Sequence, residues 1–271
     1  MSLVETNWLE QNLNKVKIID CSWHMPQTKR DGYKEYESNH IPNSIFFDLD
    51  KNSKKDTDLP HMLVGQKSWD KIVSDMGIEK NDKIVVYDNS DVVSSCRVWF
   101  NFIYFGRDPK LISVLNGGLK KWLQEKKEVT NITPKISKSD YKSFERRDLV
   151  KNKKAIDQNI KNKMFTLIDA RSRERFDGRV SEPRKGLRSG CIKDSFCIPF
   201  NSCLNDNKTF KDKNELKKIF EKSLKNLNKE NIVFSCGSGV TACVLALAYS
   251  LINDKYHPHI YDGSWAEYGL I

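Results

Sequence analysis

Short apolar runs follow one another in the same order in the two halves of the chain. They span residues 16–20, 40–47, 83–88 and 113–122 in the first half, and 165–169, 191–200, 231–236 and 260–268 in the second. The third run of each half leads into a loop and an apolar helical stretch, and the fourth contains a glycine turn and an aromatic residue. Short apolar strands that alternate with helices are typical of a parallel sheet covered by helices on both faces. The pattern predicts an α/β protein with two similar domains that arose by duplication.

The two halves meet in a polar, lysine-rich stretch over residues 131–147. This stretch lacks helical or strand periodicity and contains Pro134. We therefore predict an N-terminal domain over residues 1–134, a linker over 135–147 and a C-terminal domain over 148–271.

Composition and charge exclude several classes of protein. The chain has 271 residues, of which 38% are hydrophobic and 30% charged, as in soluble globular proteins. Its longest apolar stretch, 240–252, is shorter than the roughly 20 residues that cross a bilayer, so we expect a buried helix there. The N-terminus resembles no targeting segment, which predicts a cytoplasmic protein. The net charge of +10 comes mainly from scattered lysines and predicts no nucleic-acid partner.

The seven cysteines include no C-x-x-C pair, and we expect free thiols rather than disulfides. Cys191, Cys197 and Cys203 recur every six residues, but zinc sites need closer pairs and histidine partners. The sequence therefore predicts neither a metal site nor a cofactor.

One cysteine lies where a parallel sheet binds ligands. Cys236 ends the third run of the second half and begins the loop over residues 236–241, at the carboxyl end of a predicted strand. Gly237 and Gly239 let this loop curl, so that its amides and the following helix dipole favour a thiolate or a persulfide anion. A buried, inert cysteine is the ordinary alternative. Asp88 occupies the matching position of the first half and cannot act as a sulfur nucleophile.

Motifs along nearly the whole chain accompany this loop. They are His40-Ile41-Pro42 with Phe46-Phe47-Asp48, Asp169-Ala170-Arg171 with Arg175-Phe176, Glu182-Pro183-Arg184, and Tyr261-Asp262-Gly263-Ser264-Trp265. Together they resemble the rhodanese-fold sulfurtransferases, specifically the 3-mercaptopyruvate sulfurtransferases. The resemblance implies tandem rhodanese-like domains, of which the N-terminal one is silent and the C-terminal one catalytic. It also implies that Cys236 takes sulfur from 3-mercaptopyruvate, releases pyruvate, and passes the sulfur to thioredoxin, a small thiol or cyanide.

The loop and nearby arginines bear on the choice of donor. Thiosulfate is a dianion, and related thiosulfate-specific enzymes place basic residues directly after the cysteine, where this chain has Gly237 and Ser238. A keto acid presents a carboxylate and a carbonyl, which guanidinium groups hold by paired hydrogen bonds. By resemblance, the predicted substrate-binding residues are Arg175, Arg184, Gly237, Gly239, Val240 and Thr241. The arginines could instead be ordinary surface charges, and a thiosulfate:cyanide sulfurtransferase is the close alternative.

A proton relay is the remaining part of the resemblance. Ser238, His40 and Asp31 resemble the Ser-His-Asp relay proposed for the family, which would place the site in a cleft between the domains. A histidine before Ile-Pro can equally be a turn or core residue.

Cysteine phosphatases of the related fold also use a cysteine loop, which ends in an arginine that binds phosphate. A cysteine phosphatase would need an arginine six residues after Cys236, where this chain has Ala242. A non-enzymatic binding module also remains open. The second domain has Cys191-Ile192-Lys193-Asp194 where the family usually has His-Ile-Pro-Gly, which we interpret as structural drift.

Overall fold

The computed structural model describes residues 2–224 and 231–271. The chain divides into two compact units. The first comprises Met1–Ser53, Leu63–Arg146 and Asp206–Thr209, and the second comprises Lys54–Met62, Arg147–Asn205 and Phe210–Ile271. Two short segments thus belong to the unit formed mainly by the other half of the sequence, an exchange that the hydrophobic pattern did not predict.

The first unit contains a five-stranded parallel sheet. Its strands are β1 (Leu3–Val4), β2 (Lys17–Asp20), β3 (Ser44–Phe46), β4 (Ile84–Tyr87) and β5 (Ile112–Leu115). Its α-helices are α1 (Thr6–Glu10), α2 (Gly32–Ser38), α3 (Gln66–Asp75), α4 (Ser95–Tyr104) and α5 (Gly118–Gln124). The strand order is β1-β5-β4-β2-β3.

The second unit repeats this arrangement. Its strands are β6 (Val150–Lys151), β7 (Thr166–Asp169), β8 (Phe196–Cys197), β9 (Ile232–Ser235) and β10 (Ile260–Tyr261). Its α-helices are α6 (Lys153–Asn162), α7 (Arg173–Phe176), α8 (Lys213–Ser223), α9 (Ala242–Ser250) and α10 (Ser264–Tyr268). The order β6-β10-β9-β7-β8 matches the first sheet strand for strand, which confirms the predicted pair of similar α/β domains.

The central strands are apolar because parallel sheets are buried on both faces. Strands β4, β7 and β9 are buried at every position. Helix α9, which follows the Cys236 loop, is apolar all round and buried from Ala242 to Tyr249, as predicted for the stretch 240–252. None of the described helices is long and apolar enough to cross a membrane.

Each unit has one of the predicted tryptophan anchors in its core, at different positions of the repeat. Trp122 is fully buried in the first unit, where it packs with Leu9, Ile18 and Tyr87. Trp265 packs in the second unit with Leu167, Val233 and Tyr261. Each tryptophan follows the glycine turn after the last strand in the sequence of its unit, and its packing fixes that turn against the core.

Candidate active site

The Cys236 loop begins where β9 ends and runs into α9. Cys236 is only 2% exposed. Gly239 has a φ of 77°, a left-handed conformation that glycine adopts without steric cost. Helix α10 holds the loop from outside, because the Trp265 amide donates to the Cys236 carbonyl at 2.9 Å and the Ala266 amide donates to the Gly237 carbonyl at 2.8 Å. The thiol therefore sits in a fixed, nearly water-free turn.

Several amides of this loop have no protein acceptor. Within residues 2–224 and 231–271, the amides of Gly237, Ser238, Val240 and Thr241 donate to no acceptor. They lie at the amino end of α9, where the helix dipole is positive. Amides curled in this way form a site for an anion, so the loop suits a thiolate or a persulfide.

Two arginines from the segment after β7 converge on the loop. A methyl group on Gly237 would lie 3.3 Å from Arg175 Nη2 and 3.6 Å from Arg184 Nη1. Arg184 Nη2 also donates to Ser238 Oγ at 3.4 Å. Arg175 is 21% exposed at its side chain, and its Nη1 donates to no acceptor in the described residues. Both guanidinium groups therefore lie beside the cysteine loop, where they can hold an anionic substrate.

A buried carboxylate fixes Arg175. Glu182, whose side chain is 1% exposed, accepts from Arg175 Nε at 3.1 Å and from Arg175 Nη2 at 2.5 Å. The same carboxylate accepts from Arg171 Nη1 at 2.7 Å. This paired geometry orients the Arg175 guanidinium and uses its Nε and Nη2 atoms.

Arg171 is the centre of this network. Its guanidinium donates to Asp169 as well as to Glu182, and it stacks on the Trp265 ring at 4.4 Å. Burial opposes the charge of Arg171, but Asp169 and Glu182 outweigh burial and raise its pKa above the usual range. Through Glu182, Arg171 and Arg175 belong to one hydrogen-bonded network beside the cysteine loop.

A histidine outside all of the sequence motifs contacts Ser238. His61 Nδ1 lies 2.9 Å from Ser238 Oγ, across 177 positions of sequence. His61 belongs to the segment Lys54–Met62, which is part of the second unit, and it is 4% exposed. Its φ of 61° is left-handed. The contact gives Ser238 a partner that can move a proton.

The two residues predicted to complete the relay have other contacts. His40 is fully buried, with Nδ1 at 2.6 Å from the Tyr36 carbonyl and Nε2 at 3.2 Å from the Ile132 carbonyl. Asp31 caps α2 by accepting the amides of Tyr33 and Lys34. These contacts account for both residues structurally, and their place in a relay stays a prediction.

The matching loop of the first unit already holds an anion. Asp88 Oδ1 accepts from the Ser90 amide at 2.8 Å and from Ser90 Oγ at 2.7 Å, and its Oδ2 accepts from the Ser95 amide at 3.0 Å. The carboxylate thus accepts a hydrogen bond from the first amide of α4, where the helix dipole is positive. Near it, burial raises the pKa of Asp20 to about 7. The Asp88 carboxylate therefore stands where the second unit has the Cys236 thiol.

The regularly spaced cysteines lie near the strand β8. Burial raises the pKa of Cys197 and of Cys203 to about 12, so both are protonated thiols near neutral pH. Cys191 is partly exposed, and burial also raises its pKa. In the described part of the chain, no group of three or more His, Cys, Asp or Glu side chains is arranged to hold a metal ion.

Comparisons with known proteins agree with this architecture. The family model of the rhodanese-like domain matches twice, at residues 5–125 and 152–270. The chain is 37% identical to thiosulfate/3-mercaptopyruvate sulfurtransferase 1, mitochondrial, of Arabidopsis thaliana, with 98% of this chain and 75% of that protein covered. It is 34% identical to thiosulfate sulfurtransferase of Rattus norvegicus, over 98% of this chain and 91% of that protein. The crystal structure of the 3-mercaptopyruvate sulfotransferase SseA from Escherichia coli superposes with a TM-score of 0.87 at 28% identity, and the match covers 98% of this chain and 99% of that one.

Proposed function

This chain belongs to the rhodanese family, and from that premise we propose that it moves sulfur from 3-mercaptopyruvate to an acceptor through a persulfide on Cys236. The class of enzyme, a sulfurtransferase, was predicted from the sequence and is confirmed by the names of the relatives. The donor, the persulfide and the acceptor are the parts that we propose. The observation that carries the proposal is the approach of Arg175 and Arg184 to Gly237, directly beside the cysteine.

The donor follows from the charges at the loop. 3-Mercaptopyruvate carries one carboxylate and a neighbouring carbonyl, which match the two guanidinium groups of Arg175 and Arg184. Arg175 lies beside Gly237, and Arg184 lies close to Ser238 Oγ. Two donors of this kind can hold a carboxylate and polarise a carbonyl together.

The first reaction forms one bond and breaks another. The Cys236 thiolate attacks the sulfur of the donor, an S–S bond forms, and the donor C–S bond breaks with its electron pair left on carbon. The carbon product is the enolate of pyruvate, which takes up one proton to give pyruvate. The transferred sulfur, now bonded to Cys236, loses the S–H proton that it had in the donor, and a persulfide anion results. The open amides of Ser238, Val240 and Thr241 would stabilise that anion.

The proton path runs through Ser238 and His61. The 2.9 Å contact lets His61 exchange a proton with the Ser238 hydroxyl. In the proposed arrangement the donor carbonyl would lie beside that hydroxyl. We propose His61, rather than His40, as the histidine of this relay, since both ring nitrogens of His40 lie against backbone carbonyls.

In the second reaction an acceptor thiol attacks the outer sulfur of the persulfide. A thiol acceptor becomes a persulfide, or cyanide becomes thiocyanate, and the Cys236 thiolate returns, so no external oxidant or reductant is needed. We propose thioredoxin, a small thiol or cyanide as acceptors. A cytoplasmic location stays a prediction, because the Arabidopsis relative is named as mitochondrial.

Thiosulfate is the second candidate donor. It is favoured by the names of both curated relatives, each of which includes thiosulfate. Against it stand the neutral Gly237 and Ser238, which add no positive charge for a dianion directly after the cysteine.

Mass spectrometry tests the persulfide. After exposure to 3-mercaptopyruvate, the intact protein should gain the mass of one sulfur, and a reducing thiol should remove it. Cys236→Ser should gain none, while Cys203→Ser, which changes a buried thiol of the same unit, should gain it as the wild type does. A wild-type protein that gains no sulfur from this donor would refute the proposal.

A further inference from the structure

Ser264 is a buried residue held in a conformation that its type disfavours. It is fully buried, and its φ of 49° lies in the left-handed region. A serine there costs free energy that a glycine would not, and such outliers concentrate at functional sites. Ser264 takes part in none of the proposed steps of sulfur or proton transfer.

The Ser264 hydroxyl has a complete set of hydrogen bonds. It donates to the Tyr261 carbonyl at 2.8 Å, and it accepts the amides of Cys236 and Gly239, each at 3.1 Å. A hydroxyl has one proton to donate and two lone pairs, so all three positions are filled. The oxygen is thereby fixed in orientation, with both lone pairs directed at the cysteine loop.

Those two amides set the curl of the loop. Cys236 and Gly239 are three residues apart, and one oxygen atom draws both amides to the same point. The amides that remain without a protein acceptor in the described residues are those of Gly237, Ser238, Val240 and Thr241. Ser264 thus divides the loop amides into two sets, one that is tied down and one that is left for an anion.

The other copy of the fold provides an internal comparison. Gly118 stands in the matching place, with a φ of 54°, and the Leu119 amide donates to the Asp88 carbonyl just as the Trp265 amide donates to the Cys236 carbonyl. A methyl group on Gly118 would lie 2.3 Å from that Asp88 carbonyl oxygen. The silent copy keeps the backbone but has no room for a side chain. A serine is therefore not needed for the turn itself, and it is present only beside the cysteine.

We propose that Ser264 is a positioning residue for sulfur transfer, which holds the Cys236 loop in the curl that binds the persulfide anion. The inference rests on the proposed function, and it adds a residue outside the loop that controls the reactivity of Cys236. It acts through the loop backbone and does not touch the donor.

The test compares Ser264→Gly and Ser264→Ala with the wild type. Glycine suits the left-handed backbone, as Gly118 does in the other unit, so this variant is expected to fold. Alanine keeps the Cβ and removes only the hydroxyl. We expect both variants to lower kcat with 3-mercaptopyruvate by about tenfold or more, while the donor KM changes less than about twofold, because the arginines are untouched.

Alkylation of Cys236 by iodoacetamide separates this inference from the proposed function. The reagent is neutral and needs neither a sulfur donor nor Arg175 and Arg184. Loss of the hydroxyl should slow alkylation near neutral pH by about tenfold and move its pH profile to higher pH, since the loop would hold an anion less well. This readout stays informative even if the wild type accepts no sulfur from 3-mercaptopyruvate.

Ser195→Ala is the matched control. Its hydroxyl also bonds a backbone carbonyl of the second unit, that of Ile192 at 2.6 Å, and we expect wild-type rates from this variant. Wild-type alkylation profiles and kcat values in both Ser264 variants would overturn the inference. A loss in the alanine variant that is reversed in the glycine variant would also overturn it, because backbone strain, not the hydroxyl, would then be the cause.

Discussion

Replacing His61 by asparagine tests the proton path that the structure suggests. Asparagine tolerates the left-handed backbone of residue 61, so His61→Asn removes the imidazole without new backbone strain. His61 is 4% exposed, which leaves little water to take over from the ring. If the ring moves a proton through Ser238, its loss should lower kcat by about 10²- to 10⁴-fold, or about 3–5 kcal/mol in activation free energy. If the His61 ring only orients the Ser238 hydroxyl, its removal costs one hydrogen bond of about 0.5–1.5 kcal/mol, and kcat should fall by about 2- to 13-fold.

The assay is pyruvate release from 3-mercaptopyruvate, with kcat and KM measured separately. We expect a fall of at least about 100-fold in kcat for His61→Asn, with little change in KM. His40→Asn is the comparison: it removes a ring that lies on two backbone carbonyls, so it should lower the free energy of unfolding by about 1–3 kcal/mol and leave kcat of the folded protein near wild type. The opposite ranking, with kcat lost in His40→Asn and kept in His61→Asn, would refute the reasoning.

Two further predictions concern the arginines and the first unit. Arg175→Lys and Arg184→Lys keep the charge but lose the paired geometry, so each should raise the KM for 3-mercaptopyruvate by about tenfold while Cys236 still reacts with iodoacetamide; unchanged kinetics in both would contradict the carboxylate site. Because the folded protein keeps the Asp20 proton up to about pH 7 while the unfolded chain releases it near 3.8, the free energy of unfolding should fall as pH rises between these values, by at most about 1.4 kcal/mol per pH unit. Urea unfolding at about pH 5 and about pH 8 should show this loss in the wild type and not in Asp20→Asn, and an equal pH dependence in both would contradict it.

The fold could be predicted from the sequence because hydrophobic burial follows position along the chain. Four apolar runs, 16–20, 83–88, 165–169 and 231–236, became strands within one residue of their predicted bounds. The runs 40–47 and 191–200 contain much shorter strands, β3 and β8. Strands β1 and β6 were not predicted, because a run of two residues carries no periodicity. The sequence also does not predict that Lys54–Met62 belongs to the second unit and Asp206–Thr209 to the first, since polar segments carry no pattern that assigns them to a core.

The candidate site was predictable only where its residues share a short motif. Cys236 was found from its loop, and Arg175 and Arg184 from the resemblance, and the structure brings both arginines to that loop. His61 was missed because no rule of spacing links it to Ser238 over 177 positions. Ser264 was visible as part of a motif, but its role depends on a backbone angle and on three hydrogen bonds that only coordinates reveal.

The comparison of donors on the wild-type protein tests the central claim most directly. Steady-state rates with 3-mercaptopyruvate and with thiosulfate, measured against the same acceptor, give kcat/KM for each donor. The two guanidinium groups beside Gly237 and the neutral residues after Cys236 predict a kcat/KM for 3-mercaptopyruvate that is at least about 100-fold higher, equivalent to about 2.7 kcal/mol of transition-state binding. An equal or higher kcat/KM for thiosulfate would contradict the account.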